Sequence, residues 1–172
     1  HIYDVYTHTA YAVENTPPDL AVRWAALLHD CGKPQCFTVG DDGVGHFYGH
    51  AQAGAALAEE VLQELRAPKA LRERVVFLVG YHMNPLAPDK GLLRRRLSQF
   101  GQQAVKELLA LQEADASAMG KGKAIFEEIR ALLQEILEEN SCLSIRDLQV
   151  DGKDLLALGF APGEELGACL NH

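Results

Sequence analysis

Six residues of this chain have side chains able to bind a metal and stand where apolar residues belong: His8, His29, Asp30, His50, His82 and Asp115. His8 shares a helical face with Val5 and Ala12, and His50 shares one with Ala53, Gly54 and Leu57. His82 completes the stripe Leu71, Val75, Leu78 and Val79, while Asp115 follows Leu108 and Leu111 and precedes Ala118 and Met119. No lysine or arginine lies within four residues of Asp115. A carboxylate aimed into a core without a partner costs several kcal/mol or is forced to protonate. Taken singly, each residue has an ordinary explanation, such as a core histidine satisfied by a carbonyl or an aspartate capping a helix. Together these explanations must hold independently, whereas one shared cation accounts for all of them. The gaps of 21, 1, 20, 32 and 33 residues are each about one helix plus one connection, apart from the adjacent pair His29-Asp30. The donors therefore come from different helices that converge. Imidazole and carboxylate suit a divalent ion among Mn, Fe, Co, Ni, Zn and Mg. Bundle interiors commonly house such sites.

Helical periodicity dominates the elements that must position these residues. A first helix is expected over 3–15, stopped by Pro17-Pro18, because proline lacks the donor and clashes with the preceding turn. A second, over 19–30, is apolar nearly all round and is expected at the centre of a bundle. The Gly-rich stretch 31–49 holds a small hairpin with arms at Phe37-Thr38-Val39 and Val44 to Tyr48. Helices follow over 50–65, with Leu57, Val61, Leu62 and Leu65 on one stripe, and after Pro68, then near 89–100, 103–119 and 122–139. Beyond Asn140 the texture changes to short helices punctuated by Asp151-Gly152 and Pro162-Gly163. The expected fold is an all-α helical bundle with a small hairpin insert and a short C-terminal helical extension. Tyr11, Trp24 and Phe126 read as packing residues.

Composition narrows the class. With 172 residues, 48% hydrophobic and 23% charged, the chain is globular and has enough apolar residues for a core. No apolar run reaches the roughly 18 residues of a membrane helix, and no secretory signal is visible. Cys31, Cys36, Cys142 and Cys169 form no CxxC pair and read as reduced thiols of a cytoplasmic protein. Cys31 reads as a buried spacer or a tuner of the adjacent turn. The net charge of −8 opposes a general nucleic-acid coat. Yet Arg66, Lys69, Arg72, Arg74, Lys90, Arg94, Arg95 and Arg96 face only Glu73 and Asp89 in their window, which is either a solvated helical face or a footprint for a polyanion. Gly32-Lys33 and Gly152-Lys153 lack the rest of a phosphate-binding P-loop, and there is no Gly-x-Ser-x-Gly elbow. The chain opens at His1 and ends inside a helical pattern, and is expected to be a piece of something longer.

The pattern His8…His29-Asp30…Asp115, with the turn His29-Asp30-Cys31-Gly32-Lys33-Pro34, resembles the HD superfamily of metal-dependent phosphohydrolases. The resemblance narrows with Phe47-Tyr48-Gly49-His50-Ala51-x-x-Gly54, Gln112-Glu113-Ala114-Asp115 and Arg94-Arg95-Arg96-Leu97. The tail Asp151-Gly152-Lys153-Asp154-Leu155 through Gly159, then Pro162 to Gly167, makes nearly the whole chain similar to the C-terminal half of bacterial CCA-adding tRNA nucleotidyltransferases and poly(A) polymerases. This resemblance implies an HD domain over 1–140 and the start of a tRNA-binding tail over 141–172. It implies a divalent metal held by His8, His29, Asp30 and Asp115, with His50 and His82 holding a second metal or binding phosphate and protonating the leaving oxygen. Asp30 would bridge the metals or orient the attacking water. Lys33 would neutralise phosphate charge, unless it is simply a solvated loop lysine. The implied substrates are nucleotide or RNA-end phosphoesters, with tRNA contacted by Lys33, Arg94, Arg95 and Arg96 and no membrane partner. No Gly-Ser element followed by paired carboxylates occurs, so nucleotide transfer is not expected of this segment alone. Two rival expectations are a non-catalytic tRNA-binding body and a di-iron oxygenase built on the same donor set.

Overall fold

The computed structural model describes residues 4–40 and 43–139. Contacts fall into two units, His1–Leu132 and Leu133–His172. The expected C-terminal extension, with its tail motif, Cys142 and Cys169, lies outside the described residues. These comprise seven α-helices, one 3₁₀ turn and one two-stranded hairpin, an all-α architecture as expected.

The first helix, α1 (Val5–Glu14), begins where Asp4 accepts hydrogen bonds from the Thr7 amide at 3.0 Å and hydroxyl at 2.7 Å. Such caps satisfy amides that a helix start leaves unpaired. Only His8 and Ala12 of this helix are fully buried. Asp19 caps α2 (Leu20–Leu28) in the same way, accepting from Ala21 and Val22 amides at 2.9 and 3.1 Å. Two details differ from expectation. The helix ends two residues early, so His29 and Asp30 stand in the turn beyond it. It is also buried on one face only: Ala21, Val22, Ala25 and Ala26 pack inward while Leu20 and Leu27 face solvent.

A 3₁₀ turn, Lys33–Cys36, leads to strands β1 (Thr38–Val39) and β2 (Gly45–His46), paired antiparallel with Thr38 opposite His46. Next comes α3 (His50–Glu64), which buries Ala51, Gly54 and Ala58 beside Leu62, the one residue of the expected stripe that is fully buried. Val61 and Leu65 are exposed. The reason is close approach: α3 packs against both the 3₁₀ turn and α4 (Lys69–Tyr81), and small residues admit that proximity. A β-carbon on Gly32 would stand 2.2 Å from the His50 carbonyl oxygen and 2.6 Å from the Gly54 nitrogen.

Helices α5 (Lys90–Phe100), α6 (Gln102–Ala118) and α7 (Ala124–Glu139) follow. Within the first unit, α2 packs on α1, α4 and α6, and these surround Val22, Leu62, Val75, Leu78, Leu108 and Leu111. Each such Val or Leu contributes about 1.5–3 kcal/mol through burial. Of the three aromatics read as packing, Phe126 is buried and Trp24 packs half-buried on the core, but Tyr11 is exposed.

A polar network fixes the same helices. Arg74 of α4 donates to Glu107 of α6 at 2.6 and 3.2 Å and to Asp19 at 2.8 Å. Glu107 is only 5% exposed and also accepts from Gln103 at 2.6 Å. A buried carboxylate requires such pairing. Burial works to raise the Asp19 carboxyl, but the Val22 amide and Arg74 outweigh it and hold the group below its ordinary value.

Candidate metal centre

Three of the donor imidazoles stand at helix ends, because that is where they can satisfy unpaired backbone groups. The carbonyls of a helix's last turn have no partner within the helix. His29, just past α2, fills one such vacancy with Nδ1 at 2.8 Å from the Ala26 oxygen. His82, just past α4, does likewise at 2.6 Å from the Val79 oxygen. His50 opens α3 with Nδ1 at 2.8 Å from the Phe47 oxygen. A carbonyl only accepts, so Nδ1 carries the hydrogen in all three rings. Their Nε2 atoms then present lone pairs in the neutral form.

These Nε2 atoms converge. His50 and His82 meet at 3.2 Å, and His8 and His29 meet at 3.3 Å. Two neutral imidazoles whose lone pairs face each other do not bond; a proton or cation must stand between them. Asp30 joins the two pairs. Its Oδ2 lies 3.3 Å from His29 and 4.0 Å from His8, and its Oδ1 lies 3.6 Å from His50. Asp115 adds Oδ1 at 3.0 Å from His8 and 3.6 Å from His29. Donors about 2.1 Å from one cation lie about 3.0–3.4 Å apart when adjacent and about 4.2 Å apart when opposite. The donor atoms of His8, His29 and Asp30, and those of Asp30, His50 and His82, lie within 4.8 Å of one another, close to these separations, so the residues present fit a metal.

All of these residues except Asp115 are buried. Asp115 is about a quarter exposed and lines a cavity of about 590 Å³ rather than pointing into the core, where its apolar neighbours had placed it. Electrostatics agree with a site that attracts positive charge. Burial works to raise the Asp30 carboxyl, yet His29 and Lys33 outweigh it and hold it well below the usual carboxylate range. His29 is raised, the Asp30 carboxylate overcoming the effect of burial. Burial pushes His82 down to about 4, against the pull of the Val79 carbonyl and with added repulsion from His29.

Lys33 is not a solvated loop lysine. Its side chain is 13% exposed and its Nζ lies 2.5 Å from Asp30 Oδ2. The structure thus brings His8, His29, Asp30, Lys33, His50, His82 and Asp115 into one place. Arg94, Arg95 and Arg96 lie elsewhere, on α5; Arg94 and Arg95 are exposed, and Arg96 reaches Gln99 at 3.3 Å and covers the Phe100 ring. The basic window is also smaller than its sequence suggests. Arg74 is engaged as above, and Arg72 pairs with Glu59 at 3.3 Å.

The role of one supporting residue escaped sequence reasoning. Gln112 donates to the carbonyls of His82 at 3.1 Å and Asn84 at 2.8 Å, and accepts from the Leu86 amide at 3.1 Å. It pins the segment carrying His82 onto the helix carrying Asp115. Its spacing of three residues before Asp115, on the same helical face, was the available signal.

A fold of packed helices with His and Asp donors at their ends and crossings defines the class. Residues 1–120 match the HD domain, and the chain belongs to that family. Among curated proteins, the A-adding tRNA nucleotidyltransferase of Deinococcus radiodurans is 33% identical over 184 residues, a match covering 99% of this chain and 42% of that protein. The CC-adding tRNA nucleotidyltransferase of Thermus thermophilus is 36% identical over 154 residues, 88% of this chain and 34% of that protein. A multifunctional CCA protein of Nitrosococcus oceani is 39% identical over 82 residues. The chain spans less than half the length of these relatives. It is an HD domain similar to part of the tRNA nucleotidyltransferases. No described helix is long and apolar enough to cross a membrane.

Proposed function

We propose that this HD domain hydrolyses phosphoesters with the help of one or two divalent metal ions, as part of a tRNA nucleotidyltransferase-like protein acting in the cytoplasm. The observation that carries this reading is the placement of Asp30, whose two oxygens face two separate sets of imidazoles. His8, His29, Asp30 and Asp115 would hold the first ion, and Asp30, His50 and His82 a second. Bound there, a divalent ion polarises a phosphoryl group and lowers the pKa of water.

The chain's own residues supply the rest. Lys33 Nζ, on the cavity wall beside Asp30, offsets the charge of an entering phosphate. His82 stays neutral near pH 7 because burial keeps its pKa near 4, so its Nε2 is available as a donor without losing a proton. Asp30, between the two sets of imidazoles, would bridge the ions or orient the attacking water. Nucleotide or RNA-end phosphates, including 2′,3′-cyclic phosphates, are the candidate substrates, a choice that rests on analogy with the family. Adding nucleotides is not assigned to this segment.

The test is elemental analysis of the purified protein, followed by metal stripping and reloading with Mn, Ni, Co, Zn, Mg or Fe. Phosphoester hydrolysis restored by a redox-inert ion, lost in Asp30→Ala and kept in Lys69→Ala, is the expected result. Bound di-iron with oxygen consumption and no hydrolysis would overturn it in favour of an oxygenase. A second reading, a tRNA-binding body, is favoured by exposed Arg94 and Arg95 on α5. It predicts tRNA affinity that is salt-sensitive and lost when Arg94, Arg95 and Arg96 become alanine, but kept in Asp30→Ala.

A further inference from the structure

The hairpin segment just before His50 has side chains that hydrolysis alone does not use. Strand β2 ends at His46, and Phe47 to Gly49 lead on to α3. Phe37 packs over Gly45 and Phe47: a β-carbon at position 45 would stand 2.6 Å from the Phe37 ring, and the Phe37 and Phe47 rings are 5.5 Å apart. His46 and Tyr48 stack with centroids 5.1 Å apart and planes only 15° from parallel. Tyr48 is nevertheless 78% exposed, so the ring face not covered by His46 is open.

This aromatic pair is tied to the metal-binding cluster by main chain. Gly49, at φ +78°, closes the short turn that leads from β2 into α3, a conformation that favours glycine. The Phe47 carbonyl is the group that orients His50. His46 and Tyr48 line the same cavity of about 590 Å³ as Asp30, Lys33 and Asp115. A small phosphoester needs only the charged end of that cavity, whereas a nucleotide has a charged end and a flat aromatic end. The cavity offers both, and its size lies within the roughly 300–1,000 Å³ typical of small-molecule sites.

We propose that His46 and Tyr48 form a stacking platform for a nucleobase, which makes the site selective for phosphoesters of nucleosides over those of small alcohols. The proposal rests on the hydrolytic reading for its phosphate end, and adds the residues that choose the substrate. Base stacking on an aromatic ring is tolerant of sequence, because every base has a π-face. The same chemistry serves a free nucleotide and the 3′ end of an RNA.

The test compares equilibrium binding of inorganic phosphate, adenosine 3′-monophosphate and a short single-stranded RNA ending in a 3′-phosphate to the metal-loaded chain. The nucleotide is expected to bind more tightly than phosphate, with a fall in adenine absorbance on binding. In Tyr48→Ala this preference drops by about tenfold and the absorbance change disappears, while Tyr48→Phe keeps both. His46→Ala weakens the preference in the same direction. An RNA bound more tightly than the mononucleotide identifies RNA ends as the ligand; equal binding identifies free nucleotides. No preference for the nucleotide over phosphate, or the same preference in wild type and Tyr48→Ala, would overturn the platform. A preserved binding preference without any phosphate release would remove the hydrolytic reading alone and leave the platform standing.

Discussion

Two charged clusters, both assembled from helices distant in sequence, are built to opposite ends. Around Arg74, one guanidinium serves both Glu107 and Asp19, so each carboxylate is bonded to a cation supplied by the chain itself. Around Asp30, four imidazoles turn their Nε2 atoms inward, Asp115 adds a second carboxylate, and Lys33 brings one ammonium. The first network is closed and ties α2, α4 and α6 together. The second has a surplus of lone pairs, and only a cation from outside can complete it. Balance within the chain marks structure; an excess of donors facing a cavity marks a binding site.

The sharpest way to break the contrast is to exchange the roles. Asp30→Asn is expected to reduce phosphoester hydrolysis to the uncatalysed background and to abolish metal uptake by elemental analysis, since both donor groups share this carboxylate. Arg74→Ala should instead leave metal uptake intact and destabilise the fold by about 3 kcal/mol, because Glu107 is left buried and unpaired. The check is the urea unfolding midpoint. Gln112→Ala lies between the two networks in kind: by releasing the segment that carries His82, it should lower metal affinity about 10- to 100-fold with only a small change in stability.

The smallest effect concerns acid. Asp19 titrates below its ordinary value in the folded chain, so its stabilisation is complete above about pH 3.9, the unfolded value. It is lost as pH falls through the lower folded value. Asp19→Asn should therefore lower stability at neutral pH and flatten the acid limb of the stability profile, read by thermal melting from pH 2 to 7. An unchanged acid limb would mean that Asp19 contributes no titrating bond to the Arg74 network.

Much of this was legible in the residue order. Each described helix was expected, and the six candidate metal ligands stood out because polar groups occupied apolar positions. Periodicity misjudged faces where size mattered more than hydrophobicity. On α3, Leu57, Val61 and Leu65 looked like the inward stripe, but Ala51, Gly54 and Ala58 pack inward because the 3₁₀ turn and α4 lie so close. The Arg74 network was hidden because its partners lie 33 and 55 residues away, and nothing local distinguishes a paired arginine from a solvated one. Gln112 was visible within a motif, but its role depends on backbone groups of another segment. The tail motif falls beyond the described residues.

Gly32 and Gly54 lie backbone against backbone, with the Gly32 nitrogen 3.4 Å from where a side chain on residue 54 would begin. The interval between the His29 turn and the start of the His50 helix is thus gauged by main chain alone. Exchanging neighbouring side chains can alter which ion or ester is welcomed, but it cannot lengthen that ruler. Whatever ion or ester the surrounding side chains favour, the span between the two imidazole pairs stays set by these two glycines.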